Sequence, residues 1–227
     1  MKKVLILFAL MAVSSVVMGL NKNTKTIHVT PDNAAIFING SEVGSGAYSY
    51  KFDRNTDFII VKFKAPGYIE RSVRLLKTDP RQTVSYTLRL DEAMQQSLGS
   101  SDGVDMANKW MTVTCKKGMT EDVVWRRLMS VAIDNFENFE VKDKSAGWIK
   151  TAWKDTHFES GQTVRTRLEV RITAGGEDDE ISYKVRLSSE INMDPDCFGE
   201  QCFEKYARVL RKFYDVLNDL QNSLGSN

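Results

Sequence analysis

Val164-Arg165-Thr166-Arg167-Leu168-Glu169-Val170-Arg171-Ile172 alternates without a break between aliphatic or small residues and charged ones. Side chains of a strand point alternately to its two sides, so this stretch has one face that seeks a core and one that seeks water. Gly175-Gly176-Glu177-Asp178-Asp179 follows as a turn, and Ile181, Tyr183, Val185 and Leu187 continue the apolar face on the way back. Lys184 and Arg186 then fall beside Arg165, Arg167 and Arg171. The stretch predicts an antiparallel pair in a sheet buried on one side only.

Outward from this hairpin, Trp110 to Cys115 alternates as a strand. Thr120-Glu121-Asp122 starts a helix, with a hydroxyl cap followed by acids at the positive end of the dipole. That helix runs to about Asn135 and buries Val124, Leu128, Val131, Ala132 and Phe136. Phe139 to Asp143 and Trp148 to Lys154 are further strands. Phe203, Tyr206, Ala207, Leu210, Phe213, Leu217 and Leu220, at three- and four-residue spacing, predict a long final helix. Residues 110–222 therefore read as an α+β domain of order β-α-β4-α, an antiparallel sheet covered on one face by two helices. In element order alone this is similar to helix-grip domains, such as those of the C component of the outer-membrane β-barrel assembly machinery.

Residues 24–90 carry only strand signals. Thr26-Ile27-His28-Val29-Thr30 alternates, Pro31-Asp32-Asn33 turns, and Ala35-Ile36-Phe37-Ile38 is closed by Asn39-Gly40, a hairpin pair tolerant of positive φ. Gly44 and Gly46 mark a reversal, Phe58 to Lys64 alternates, Ala65-Pro66-Gly67 turns, and Val84, Tyr86, Leu88 and Leu90 alternate with polar residues. Short strands with frequent turns predict an all-β sandwich. Ile27-His28-Val29-Thr30-Pro31, Ala34 to Gly40, Val43-Gly44 and Ala65-Pro66-Gly67-Tyr68 resemble the PEGA domain family. The four-letter motif is replaced by Gly44-Ser45-Gly46-Ala47, and Asn39 stands where the family has Asp. The resemblance implies an envelope module that binds or spaces rather than catalyses. Between the two domains, residues 91–109 include the polar, glycine-bearing run Gln95 to Gly103 and read as a linker that starts with a short helical turn.

The chain begins with the basic Met1-Lys2-Lys3, the apolar run Val4 to Val17 and Val16-Met18-Gly19, the layout of a secretory signal cleaved after Gly19. The run is shorter than the roughly 20 residues that span a bilayer. Residues 1–19 are thus expected to export the chain to the periplasm or envelope, with no transmembrane segment after cleavage. Export permits disulfides. Cys197 and Cys202 either form a small bridge across a Gly-containing turn or remain thiols, and Cys115 is odd.

The net charge of +1 provides no field for nucleic acid, so electrostatic function must come from a local patch. Two histidines, His28 and His157, and no Cys-x-x-Cys give no zinc spacing, and no cofactor motif is present. His157 lies between Asp155 and Glu159 on an expected loop, with no nucleophile motif beside it, so no catalytic residue is assigned. Trp110, Trp125, Trp148 and Trp153 are expected mostly in the core. Trp148 and Trp153 have opposite parity, so one faces solvent unless a bulge intervenes. The feature with most shape is the basic face of Arg165, Arg167, Arg171, Lys184 and Arg186. It is either a solvated sheet face or a dock for an acidic envelope protein, an anionic glycan or a lipid headgroup. The expected function is non-catalytic envelope binding or scaffolding; the competing class is an enzyme acting on cell-wall glycan or envelope ester.

Overall fold

The computed structural model describes residues 23–173 and 180–225. The expected signal segment 1–19 and the turn Gly175 to Asp179 lie outside them. Among the described residues the chain is mostly β, with several sheets and three α-helices. It divides into two compact units, one made of residues up to 66 and 70–88, the other of 67–69 and everything from 89 onward.

Among its described residues the first unit has seven strands: β1 (Thr24–Thr30), β2 (Ala35–Ile38), β3 (Ser41–Ser45), β4 (Ala47–Lys51), β5 (Phe58–Lys64), β6 (Arg71–Leu76) and β7 (Thr83–Thr87). They form two sheets, ordered β4-β1-β7 and β3-β2-β5-β6. Alternation decides which residues enter the core: Ile27 and Val29 from β1, Ile36 and Ile38 from β2, and Ile59, Val61 and Phe63 from β5 are all buried. The sheets meet where Phe63 packs on Tyr86 at 5.0 Å between ring centroids. At the β2–β3 hairpin Asn39 has φ 49 and Gly40 φ 90, the two positive values that a two-residue turn needs to match strand twist. Lys25 is buried and donates to the carbonyl oxygens of Asp79 and Arg81, so its ammonium is satisfied by backbone where β7 begins.

The second unit contains α1 (Glu92–Gln95), β8 (Ser97–Leu98), β9 (Met111–Thr114), α2 (Glu121–Asn135), β10 (Phe139–Asp143), β11 (Trp148–Thr151), β12 (Lys154–His157), β13 (Thr163–Thr173), β14 (Ser182–Asn192), β15 (Glu204–Lys205), β16 (Val209–Leu210) and α3 (Arg211–Leu224). Its main sheet runs β10-β11-β13-β14-β15, with β12 also on β13 and β9 also on β14, all antiparallel. Thr120 caps α2 by accepting the Val123 amide, at the position its sequence predicts. Val124, Leu128 and Ala132 of α2 and Phe213, Leu217 and Leu220 of α3 share one core with Val164, Leu168, Val170, Val185 and Leu187 of the sheet. The Tyr183 hydroxyl donates to the Leu220 carbonyl at 3.0 Å, tying sheet to helix inside that core.

Three expectations need correction. The final helix begins at Arg211, not Phe203. Residues 204–205 pair with β14, and Val209-Leu210 pair with Leu98 and Ser97, so cross-strand hydrogen bonds override a helical spacing of apolar residues. The strand expected over Trp148 to Lys154 is broken into β11 and β12. The stretch 91–109 is not a free linker. Arg208 donates to Ser97 Oγ at 2.8 Å, to the Ser97 carbonyl at 3.1 Å and to Asp102 at 2.7 Å. Asn108 exchanges bonds with Ser189 and donates to the Tyr206 carbonyl. A Cβ on Gly99 would stand 2.9 Å from the Arg208 guanidinium, so glycine here serves close approach rather than flexibility. Limited proteolysis is expected to leave the peptide bonds between Asp91 and Lys109 intact while this unit is folded. Early cleavage there, read by mass spectrometry, would show that the packing does not hold in solution.

Candidate functional site

The face of the sheet opposite the helices carries the basic residues that alternation predicts. Register sets them in rows: Trp148, Arg171, Lys184 and Thr112 lie across β11, β13, β14 and β9, and Lys150, Glu169 and Arg186 form the next row. The rows are not a set of loose cations in water. Glu169 is 3% exposed, accepts from Arg171 Nη2 at 2.9 Å and Nε at 3.2 Å, and accepts from Arg186 Nη2 at 2.5 Å. Burial alone drives the Glu169 carboxyl up, but hydrogen bonds from the two arginines outweigh it and hold it below the usual carboxylate range. Arg165 is only 7% exposed and is bound to Glu190 at 2.5 Å and Glu200 at 2.7 Å, which corrects its expected place on an open surface.

Aromatic rings separate the guanidinium groups. Arg165 lies 4.6 Å from the Trp153 ring and 4.0 Å from Phe203, and Arg167 lies 4.2 Å from the Trp153 ring. Arg171 stands 5.0 Å from Trp148, and Arg186 stands 4.5 Å from Trp110. Guanidinium planes over aromatic faces gain cation–π attraction and shed little water, which lets like charges sit side by side. Trp148 and Trp153 both reach this face because the strand carries a bulge. Lys150 pairs with Glu169 but Lys154 pairs with Thr166, so three residues span the space of two. The Thr151 hydroxyl takes the Leu168 amide at 3.0 Å where the ladder is interrupted.

The expectation that the tryptophans are mostly core is therefore overturned for three of the four. Trp110 is 39% exposed, and Trp148 and Trp153 are half-buried among arginines. The signal was present for Trp110, since it extends the parity of Thr112 and Thr114 onto the charged face.

At one end of the face Trp110, Thr112, Arg171, Lys184 and Arg186 line a hollow of 590 Å³. Three cations meet there, with one buried carboxylate, Glu169, beneath two of them. Lys184 has no carboxylate partner among the described residues. An excess of positive charge beside an exposed indole attracts carboxylate or phosphate oxygens. Arg165 and Arg167, by contrast, lie at the far end among Glu190, Glu200 and Glu140, so the five basic residues do not act as one patch.

His157 is exposed at the end of β12, opposite Thr163, and not in a loop. Its Nδ1 is 2.9 Å from Thr163 Oγ1. Cys197 and Cys202 are bridged, with Cα atoms 5.8 Å apart, and Cys115 is a buried thiol whose pKa burial pushes up. Among the described residues no three metal-ligating side chains converge, and no helix is long and apolar enough to cross a membrane.

No protein-family model matches the chain, and no curated protein sequence matches it.

Proposed function

We propose that this chain is a non-catalytic binding or scaffolding protein of the cell envelope, exported by residues 1–19. The first unit is a PEGA-like β-sandwich. The second is a helix-grip-like α+β interaction domain. The PEGA resemblance and the secretory layout support the compartment. One observation carries the binding role: the hollow at Trp110, where Arg171, Lys184 and Arg186 exceed the charge of Glu169. Its partner is an acidic envelope component that presents carboxylate or phosphate, whether on an envelope protein, an anionic glycan or a lipid headgroup.

Charge reversal tests this best at Lys184, which is exposed and has no carboxylate partner among the described residues, rather than at Arg171 and Arg186, which are engaged with Glu169, or Arg167, which is engaged with Trp153. Lys184→Glu is expected to reduce recovery of the acidic partner from envelope extract several-fold. The wild-type association should slow as salt rises. Recovery that is unchanged across salt concentrations, in a variant with wild-type unfolding, would overturn the assignment.

A specific observation keeps the enzyme reading alive as a second one. His157 Nδ1 and the Thr163 hydroxyl are within hydrogen-bond reach, with Asp155 two residues before on the same strand. A general base beside a hydroxyl is the core of nucleophilic catalysis. Turnover of peptidoglycan or an ester that disappears with His157→Ala would replace the binding reading.

A further inference from the structure

We infer that a second cavity, beside the disulfide loop of the same unit, is a binding site for a neutral saccharide. It is chemically distinct from the cationic hollow. The cavity measures 350 Å³ and lies among Asp155, His157, Thr163, Asn192, Phe198 and Phe203, in the size range of small-ligand pockets. Its lining has one carboxylate and neither lysine nor arginine, so it repels the anions that the hollow attracts.

Phe198 is 81% exposed, the most exposed large hydrophobic residue among those described. A floppy loop would fold such a ring away. This one is held: the Cys197–Cys202 bridge closes the loop, Gln201 donates to the Phe198 carbonyl at 2.8 Å, and Asn192 donates to the Cys197 carbonyl at 3.0 Å. Glu200, inside the same loop, is anchored on Arg165. With the loop backbone already ordered, covering this ring costs side-chain rotamer freedom but little loop entropy.

The chemistry of the lining selects the ligand. A sugar ring offers an apolar C–H face for one aromatic platform and a rim of hydroxyls for planar polar groups. Here the rim partners are the Asp155 carboxylate, an acceptor, and His157 Nε2, the ring nitrogen with no partner among the described residues, since Nδ1 is taken by Thr163. An organic cation would fit a cage of several free rings. Phe203 is already covered by the Arg165 guanidinium at 4.0 Å, and Phe158 packs against the core, so only Phe198 is free.

Calorimetric titration of the purified, oxidised full chain with chitotetraose and with maltotetraose tests the site. At least one of the two is expected to bind. Phe198→Ala and Asp155→Asn should each weaken binding tenfold or more with unchanged thermal unfolding, and a dithiol that reduces Cys197–Cys202 should do the same. Lys184→Glu should leave sugar binding intact, which separates this site from the anionic partner. No binding of either sugar, undiminished binding by Phe198→Ala, or tighter binding of tetramethylammonium than of both sugars would overturn the inference.

Discussion

Glu169→Ala is expected to destabilise the second unit by about 3 kcal/mol, the low end of the cost of stripping one partner from a buried ion network. The carboxylate is 3% exposed and serves two guanidinium groups at once. Its removal leaves Arg171 and Arg186 adjacent with nothing between them. Arg171 is more than half exposed and can turn to water, which keeps the cost from the upper end of the range. The Nε of Arg186, already buried without an acceptor, cannot. Glu169→Gln retains the shape and loses the charge, so it should cost less. The pH dependence follows from the direction of the shift. The folded carboxyl has a pKa below its ordinary 4.5, so its stabilisation is complete above that value. It is lost as pH falls through the lower folded value. Urea unfolding at pH 7 and below pH 4 measures both effects. A Glu169→Ala midpoint equal to wild type at pH 7 would show that the arginines do not depend on this carboxylate.

Phe213→Ala should cost roughly 3–5 kcal/mol, as large-to-small changes of a buried aromatic do. Phe213 sits in the first turn of α3 and stacks on Phe136 at 5.2 Å with rings 13° apart, both buried between the two helices. Truncation removes the stack and opens a cavity where the end of α2 meets the start of α3. The surrounding Leu128 and Leu217 belong to the same rigid core, so collapse can fill only part of it. Phe213→Leu keeps most of the volume and should lose less than half as much. Thermal unfolding reads the difference, with Phe213→Ala falling on the order of 10 °C. A fall of only a degree or two would place α3 outside the cooperative core.

Much of this architecture was legible because its signals are local. Alternation from Val164 to Ile172 fixed two faces, Thr120 with two acids fixed a helix start, and Asn39-Gly40 fixed a turn. What stayed hidden depends on residues far apart in sequence. Nothing around Ser97 says that it pairs with Leu210, and without that pairing Phe203 to Leu210 reads as helix. The same cause turned Gln95 to Gly103 into an expected linker, because small polar residues mark a flexible segment until Arg208 is seen to bind them. The five basic positions of the candidate surface were readable from parity. Their separation into a neutralised end and a cationic end was not, since it rests on where Glu190, Glu200 and Glu140 reach. Phe198 was missed because exposure of an aromatic on a short loop has no periodic signature.

The additional residue between Lys150 and Lys154 gives this strand a parity rule for insertions and deletions. Loss of Ala152 alone would restore uniform alternation and leave Trp148, Lys150, Trp153 and Asp155 on one side with no bulge needed to hold them there. Loss of two adjacent residues would instead put an odd number of steps between the tryptophans, and either Trp153 and Asp155 would swing toward the hydrocarbon side or Trp148 and Lys150 would. Sequences that keep this surface should therefore either carry the bulge or lack a single residue at this point, whereas a two-residue loss should come with a rewritten set of side chains on one flank.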